Sequence, residues 1–492
     1  MRESGILLHI SSLPSEYGIG DLNAFEFVDF LVKSGQKVWQ ILPINPTDIA
    51  VANSPYYSYS AYAGNILFIS PKLLVDDGFL KKEDIYLKLK FSDEKVNYKE
   101  VTEYKEKIFE IAYNRFKKII SSSNFSNYLY DYNEFCIENS NWLEDFALFT
   151  AIKKSNFLSL DGTYKCENSL KEKRTRLIEK EKFLQYLFFK QWDLLKNYCK
   201  KRGIRIIGDM QIYVIQDSVE VWKNPKIFKL DKDNNPSFVA GVPPDYFSKT
   251  GQYWGNIVYD WDALKKQGYK FWIDRIAHNL KLFDLIRIDH FRGFIEYWEI
   301  PANEKTAING KWVKAQPFEF FNTILKKFPI TSFIAEDLGS LTQEVIETIN
   351  KFNFSGMKVL LFAFDEDCSK NPHIPYNHIK NCVVYTGTHD NNTVRGWFEK
   401  EAADEDKKRF FEFIGKEVPT NEIHWEFVRL ALSSVANLSI IPMQDIIGAD
   451  DTSRMNLPAT IKGNWEWRVL EKQLTNEISL KLSKMTRIYG RC

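Results

Sequence analysis

Three stretches decide the fold: Arg287-Ile-Asp-His-Phe-Arg-Gly293, Ala335-Glu-Asp-Leu-Gly339 and Tyr385-Thr-Gly-Thr-His-Asp-Asn391. Each closes a short apolar, β-branched run with a carboxylate, and each is followed by helical sequence. Carboxylates at the ends of successive strands converge only if those strands are parallel and curl about one axis. Two or three convergent carboxylates are what breaking a glycosidic bond requires. The first expectation is a carbohydrate-active barrel enzyme.

Working outward, short apolar runs ending in polar or Gly residues mark eight strands. They are Gly5–His9, Lys37–Leu42, Arg205–Asp209, Leu285–Asp289, Ser332–Glu336, Met357–Phe364, Cys382–Thr386 and Leu438–Pro442. Amphipathic helical stretches such as Phe271–Leu282 and Leu341–Phe352 lie between most of them. Alternation of strand and helix implies a parallel sheet, because parallel neighbours need crossover connections. The spacing predicts an α/β fold, a (β/α)8 TIM barrel with its site at the C-terminal ends of the strands. An open doubly wound sheet has less support, since no Gly-rich phosphate fingerprint follows the first strand.

The whole chain, residues 1–492, reads as one catalytic domain with two long gaps between strands. After strand two, residues 70–180 are expected to form a large helical insertion. Val101, Tyr104, Ile108, Ala112, Phe116 and Ile119 recur at helical spacing, and Trp142, Phe146, Phe149 and Ile152 repeat the pattern. Its last helix ends in Lys200-Lys-Arg-Gly203, with cations at the dipole's negative end and a Gly for the left-handed cap. After strand three, residues 215–262 are rich in Pro, Asn, Gly and aromatics. They are expected to form a long loop insertion over the mouth, with Gly241-Val-Pro-Pro244 as a stiff wall or lid. Beyond Asp445 only loop and one closing helix are expected, with no C-terminal β-domain.

Composition narrows the class. The formal charge is +1, so nothing calls for nucleic acid or a membrane surface. Aromatics make up 15%, with 13 Trp and 24 Tyr, an excess that favours a sugar ligand over a phosphorylated one. Cys136, Cys166, Cys199, Cys368, Cys382 and Cys492 are scattered, with no C-x-x-C pair, which argues against a disulfide framework or zinc site. No signal peptide or run of about 18 apolar residues is read. A cytoplasmic protein, monomeric or a weak homo-oligomer, is expected, with no metal and no cofactor.

Within the three stretches, Arg287 and Asp289 are two apart on a strand and share a face. A neighbouring guanidinium favours the ionised carboxylate, which suits a nucleophile and is expected to lower the pKa of Asp289. Glu336 has no cation adjacent in sequence, so it is assigned the acid/base role; Asp337 is expected to face away. Asp390, beside His389, is placed to hold substrate hydroxyls. Asp209 is a fourth inward carboxylate with a supporting role. Tyr56, in Asn53-Ser-Pro-Tyr56, and Trp254, in Gly251-Gln-Tyr-Trp-Gly-Asn256, are candidate stacking residues.

Taken together, the motifs resemble the 4-α-glucanotransferases (amylomaltase, or disproportionating enzyme) of glycoside hydrolase family 77. The resemblance adds Gly5-Ile-Leu-Leu-His-Ile-Ser-Ser-Leu-Pro14, Gly18-Ile-Gly-Asp21, Trp39-Gln-Ile-Leu-Pro43, Ser54-Pro-Tyr56, Gly241-Val-Pro-Pro-Asp245 and Gly463-Asn-Trp-Glu-Trp-Arg468. It implies Asp289 as nucleophile, Glu336 as acid/base and Asp390 as transition-state stabiliser. It also implies Tyr56, Asp209, Trp254, Arg287, His389 and Asn464 around the sugars. The implied partners are malto-oligosaccharide or α-glucan donors and acceptors. The implied chemistry is retaining transfer, with carboxyls about 5–5.5 Å apart. An α-1,4-glucan hydrolase with the same triad is the runner-up. A metal-dependent amidohydrolase-like barrel would need a His-x-His after strand one, where only His9 stands. A non-catalytic glycan-binding relative would be expected to lack one of the three carboxylates.

Overall fold

The computed structural model describes residues 2–86, 90–121, 126–159, 167–244, 248–329, 333–339 and 341–492. Twelve strands occur among them: β1 (Glu3–Leu7), β2 (Val38–Gln40), β3 (Arg205–Met210), β4 (Phe238–Val242), β5 (Gln252–Ile257), β6 (Leu285–Ile288), β7 (Glu296–Pro301), β8 (Lys311–Lys314), β9 (Phe333–Ala335), β10 (Gly356–Val359), β11 (Cys382–Tyr385) and β12 (Leu438–Pro442). Eight of these make one parallel sheet in the order β10-β11-β12-β1-β2-β3-β6-β9. The sheet closes on itself. Ala335 N donates to Ser355 O at 2.8 Å and Ser355 N to Phe333 O at 3.1 Å, joining β9 to the start of β10. This is the expected (β/α)8 barrel.

The expected runs locate all eight barrel strands, but most strands are shorter. The Met357–Phe364 run leaves the sheet after Val359, and Leu360–Phe362 winds into a 3-10 turn. A continuous apolar run does not separate strand from buried turn, because both bury every side chain. Ser332, expected to begin a strand, lies outside the described residues. Close packing between strands and helices is fixed partly by Gly208 of β3. A Cβ there would sit 2.1 Å from the Phe283 ring, so only Gly lets that ring lie on the strand.

The segment after β2 carries helices over Pro71–Asp76, Lys82–Ile85, Tyr98–Ile120, Ser126–Glu138 and Ser140–Ser159 before Glu167–Lys201 returns to the barrel. The apolar stripe works as expected: Val101, Tyr104, Ile108, Ala112 and Phe116 are buried against the barrel's own core cluster. Gly203 takes the left-handed conformation (φ 70°) just past the helix end.

The insertion after β3 differs from the expected loop. It contributes β4 and β5 to a four-stranded antiparallel sheet, order β5-β4-β7-β8, whose other two strands follow β6. Short strands interrupted by Gly, Pro and Asn carry little periodicity, and their partners lie some 50 residues later, so the local pattern did not announce a sheet. Gly241 and Val242 end β4 as part of this wall; Asp245 lies outside the described residues. After β12, no strand follows among the described residues, and the helix Asn476–Ile488 closes the chain. No helix among the described residues is long and apolar enough to cross a membrane. Cys136, Cys199, Cys368, Cys382 and Cys492 are free thiols, and Cys166 is outside the described residues.

Candidate active site

The C-terminal ends of β3, β6, β9 and β11 open into a cleft of about 740 Å³. Tyr56, Trp254, Asp289, Glu336, His389 and Asp390 all line it. Barrel geometry explains the convergence. Asp209 of β3 is in register with Arg287 of β6, and side chains two apart on one strand share a face. Arg287 therefore meets carboxylates on both sides. Its Nη1 lies 2.7 and 2.6 Å from the two oxygens of Asp209 and 3.1 Å from Asp289 Oδ1.

Glu336 leaves β9 with both oxygens engaged: His290 N donates to Oε2 at 2.8 Å and Leu338 N to Oε1 at 2.9 Å. Asp337 faces the other way, as alternation requires, and accepts from Met357 N at 2.6 Å. Asp390 presents a side chain that is 44% exposed to the cleft. Its Oδ1 accepts from Asn456 Nδ2 at 2.6 Å, and its backbone oxygen accepts from Arg454 Nη2 at 2.7 Å. Tyr56 donates its hydroxyl to Asp209 Oδ2 at 2.8 Å and stacks its ring on His389, centroids 5.2 Å apart. Trp254 stands edge-to-face with His290 at 4.7 Å, and its carbonyl accepts from Tyr57 OH at 2.9 Å.

Two sequence-derived residues sit away from the lining. Asp209 is 2% exposed and lies with Arg287 beneath the cleft floor, where it anchors the guanidinium. Asn464 turns its amide back on its own loop: Oδ1 accepts from Leu457 N at 2.9 Å and Nδ2 donates to Thr460 O at 3.0 Å. It thereby shapes the segment 458–461 that forms part of the cleft edge.

The electrostatics correct one expectation. Burial holds the Asp289 carboxyl well above the usual carboxylate range. Arg287 pulls it down, but the charges of Asp209, Glu336 and Asp390 push it up. One guanidinium among four carboxylates does not offset the loss of water. Glu336 is likewise raised, by burial first, against Arg287 and its two backbone donors. His389 is lowered by burial despite the pull of Asp390, and His290 is lowered by burial to about 4. Both imidazoles are neutral near pH 7.

Sequence reading missed His290, Arg454, Asn456 and Trp465. His290 carries a signal only in three dimensions: it adopts φ 49°, ψ 51°, a strained left-handed geometry for a non-Gly residue. That turn aims its N–H at Glu336. Trp465, within the Gly463–Arg468 motif, packs its ring 5.9 Å from Tyr56 and 6.0 Å from His389. Among the described residues no group of three His, Cys, Asp or Glu side chains is placed to hold a metal ion.

Comparison with known proteins agrees with this site. The 4-alpha-glucanotransferase family model matches residues 8–474. The 4-alpha-glucanotransferase of Clostridium butyricum is 45% identical, covering 99% of this chain and 100% of its own. That of Aquifex aeolicus is 43% identical over 100% of both. Among solved structures, the amylomaltase from Streptococcus agalactiae in complex with acarbose superposes with a TM-score of 0.92 at 38% identity, covering 100% of both chains. Both the sequence match and the superposition run through the barrel and its insertions, so the chain belongs to the 4-alpha-glucanotransferase family and is a glycosyl-transferring enzyme.

Proposed function

We propose that the chain transfers α-1,4-glucan segments between malto-oligosaccharides by a retaining double displacement at Asp289 and Glu336. Glu336 gives its proton to the glycosidic oxygen while Asp289 attacks the anomeric carbon, and the leaving glucan departs with its new 4-hydroxyl. This forms a covalent β-glycosyl ester on Asp289. Glu336, now a carboxylate, takes the proton from the 4-hydroxyl of a second glucan, whose oxygen displaces Asp289. Two inversions give net retention.

The observation that carries the assignment is the asymmetric contact of Arg287. It touches Asp289 Oδ1 at 3.1 Å, and no ion pair joins it to Glu336. In a pair whose carboxyls are both raised by burial, that contact places the negative charge on Asp289 and leaves the proton to Glu336. Asp390, held by Asn456 and Arg454, is positioned to accept from substrate hydroxyls. Tyr56 and Trp254 offer the aromatic surface for sugar rings. Asp209 supports Arg287, and Asn464 supports the cleft-edge loop. In this reading the insertion helices and the antiparallel sheet belong to one catalytic unit with the barrel, which works in the cytoplasm.

Incubation with pure maltotriose tests the reading. Transfer yields glucose together with oligosaccharides longer than the substrate. A product set containing only shorter sugars would support the hydrolase and sink the transferase.

A further inference from the structure

The antiparallel sheet at the mouth carries a row of aromatic residues that the catalytic cleft does not use up. Register pairs Tyr253 of β5 with Gly241 of β4, Gly241 with Trp298 of β7, and Trp298 with Trp312 of β8. Residues directly opposite one another in an antiparallel sheet share a face, so these four form one line across all four strands. Three strand spacings of about 4.8 Å each put the ends of the line about 14 Å apart.

The opposite face is the buried one, where Tyr297, Ala240 and Val313 pack on the barrel's second core cluster. Tyr253 is 39% and Trp312 38% exposed. Trp298 lies between them, half-buried, edge-to-face with Trp312 at 5.3 Å, its Nε1 donating to Ala307 O at 2.8 Å. Arg292 stacks its guanidinium 3.8 Å from the centre of the Trp312 ring, which fixes the orientation of the indole. Gly241 interposes no side chain of its own in the line.

The line begins inside the site: Tyr253 lines the same cleft as Asp289 and Glu336. We propose that this aromatic row is an outer binding track, on which a long α-1,4-glucan already engaged in the cleft lays its further glucose units, ending on Trp312. Aromatic rings pair with the apolar faces of neutral sugars and ask for no charge on the ligand. The choice of a glucan as occupant rests on the function proposed above. The physical case rests on the continuity of the row with the cleft.

The test compares maltotriose, too short to span the track, with long linear amylose, using Trp312→Ala and Trp312→Phe in the full chain. In Trp312→Ala the KM for amylose is expected to rise roughly two- to tenfold, the loss of one aromatic stacking contact. The Phe variant is expected to retain most of the affinity, and kcat and KM for maltotriose are expected to stay at wild-type values in both. Trp312→Gln, which keeps bulk on the edge strand without an aromatic face, gives the same reading should the Ala variant misfold. An unchanged KM for amylose, or an equal rise for both substrates, would overturn the track. Binding of amylose to Glu336→Gln with and without the Trp312 change reads the track without turnover. Its outcome is therefore separate from the maltotriose product profile, on which the transferase reading stands or falls.

Discussion

At the scale of single residues, the site is built by placing one cation among several carboxylates and excluding water. Arg287 is 3% exposed and spends most of its hydrogen-bonding on Asp209, so its contact with Asp289 is a fixed feature of the floor. Asp289→Ala removes the nucleophile without disturbing that Arg287–Asp209 pair. Turnover is expected to fall by roughly a thousandfold or more, with far-UV circular dichroism unchanged. Glu336→Gln is expected to lose activity to a similar extent, for an additional reason. Both Glu336 oxygens accept backbone N–H groups, so an amide nitrogen must face a donor and break one bond. Near-wild-type rates from either variant, measured on maltotriose, would refute the role assignment.

At the scale of elements, the loops above the barrel are tied to one another from behind the cleft. Asp445, just beyond β12, accepts from Thr386 Oγ1 at 2.5 Å and from Val394 N at 2.8 Å. It thus spans the loop that carries His389 and Asp390. Burial pushes its carboxyl up to about 6, opposed by those two bonds. A carboxyl raised in the folded state binds its proton more tightly there than in the unfolded chain. Its contribution to stability therefore declines as pH rises from about 4 through 6. Asp445→Asn keeps the shape and removes the charge. The variant is expected to match the wild type near pH 4 and to exceed it above pH 7 by up to about 3 kcal/mol. Denaturant titrations at the two pH values measure the difference; a wild type more stable than the variant at pH 7 would show that the ionised form is the one the loop requires. Element pairing also explains what local pattern misses. The strands β4 and β5 find two of their partners only after β6, and their face alternation is broken by Gly241, Gly251 and Gly255.

At the scale of the whole molecule, the barrel brings to one mouth residues that are far apart in sequence. Tyr56, Asp289, Glu336, Asp390 and Trp465 come from segments spread over most of the chain. The chemistry proposed for them needs two carboxyls and no metal. The rate of maltotriose disproportionation is accordingly expected to be the same before and after exhaustive treatment with a chelator, and a loss restored by a divalent cation would require a different reaction.

The sequence by itself determined the barrel, the position of the helical insertion and the strands whose ends bear Asp209, Asp289, Glu336 and Asp390. Strand and helix periodicities are local, and an active barrel face lies at a fixed end of its strands. Only the tertiary structure decided that Asp209 lies under the floor, that Asn464 folds onto its own loop, and that His290 and Asn456 touch the carboxyls. It also decided that the supposed loop over the mouth is a sheet. These depend on which distant segments meet and on how much water they leave, and so does the raised Asp289 carboxyl. Charge spacing along one strand records the guanidinium, but not the burial that outweighs it.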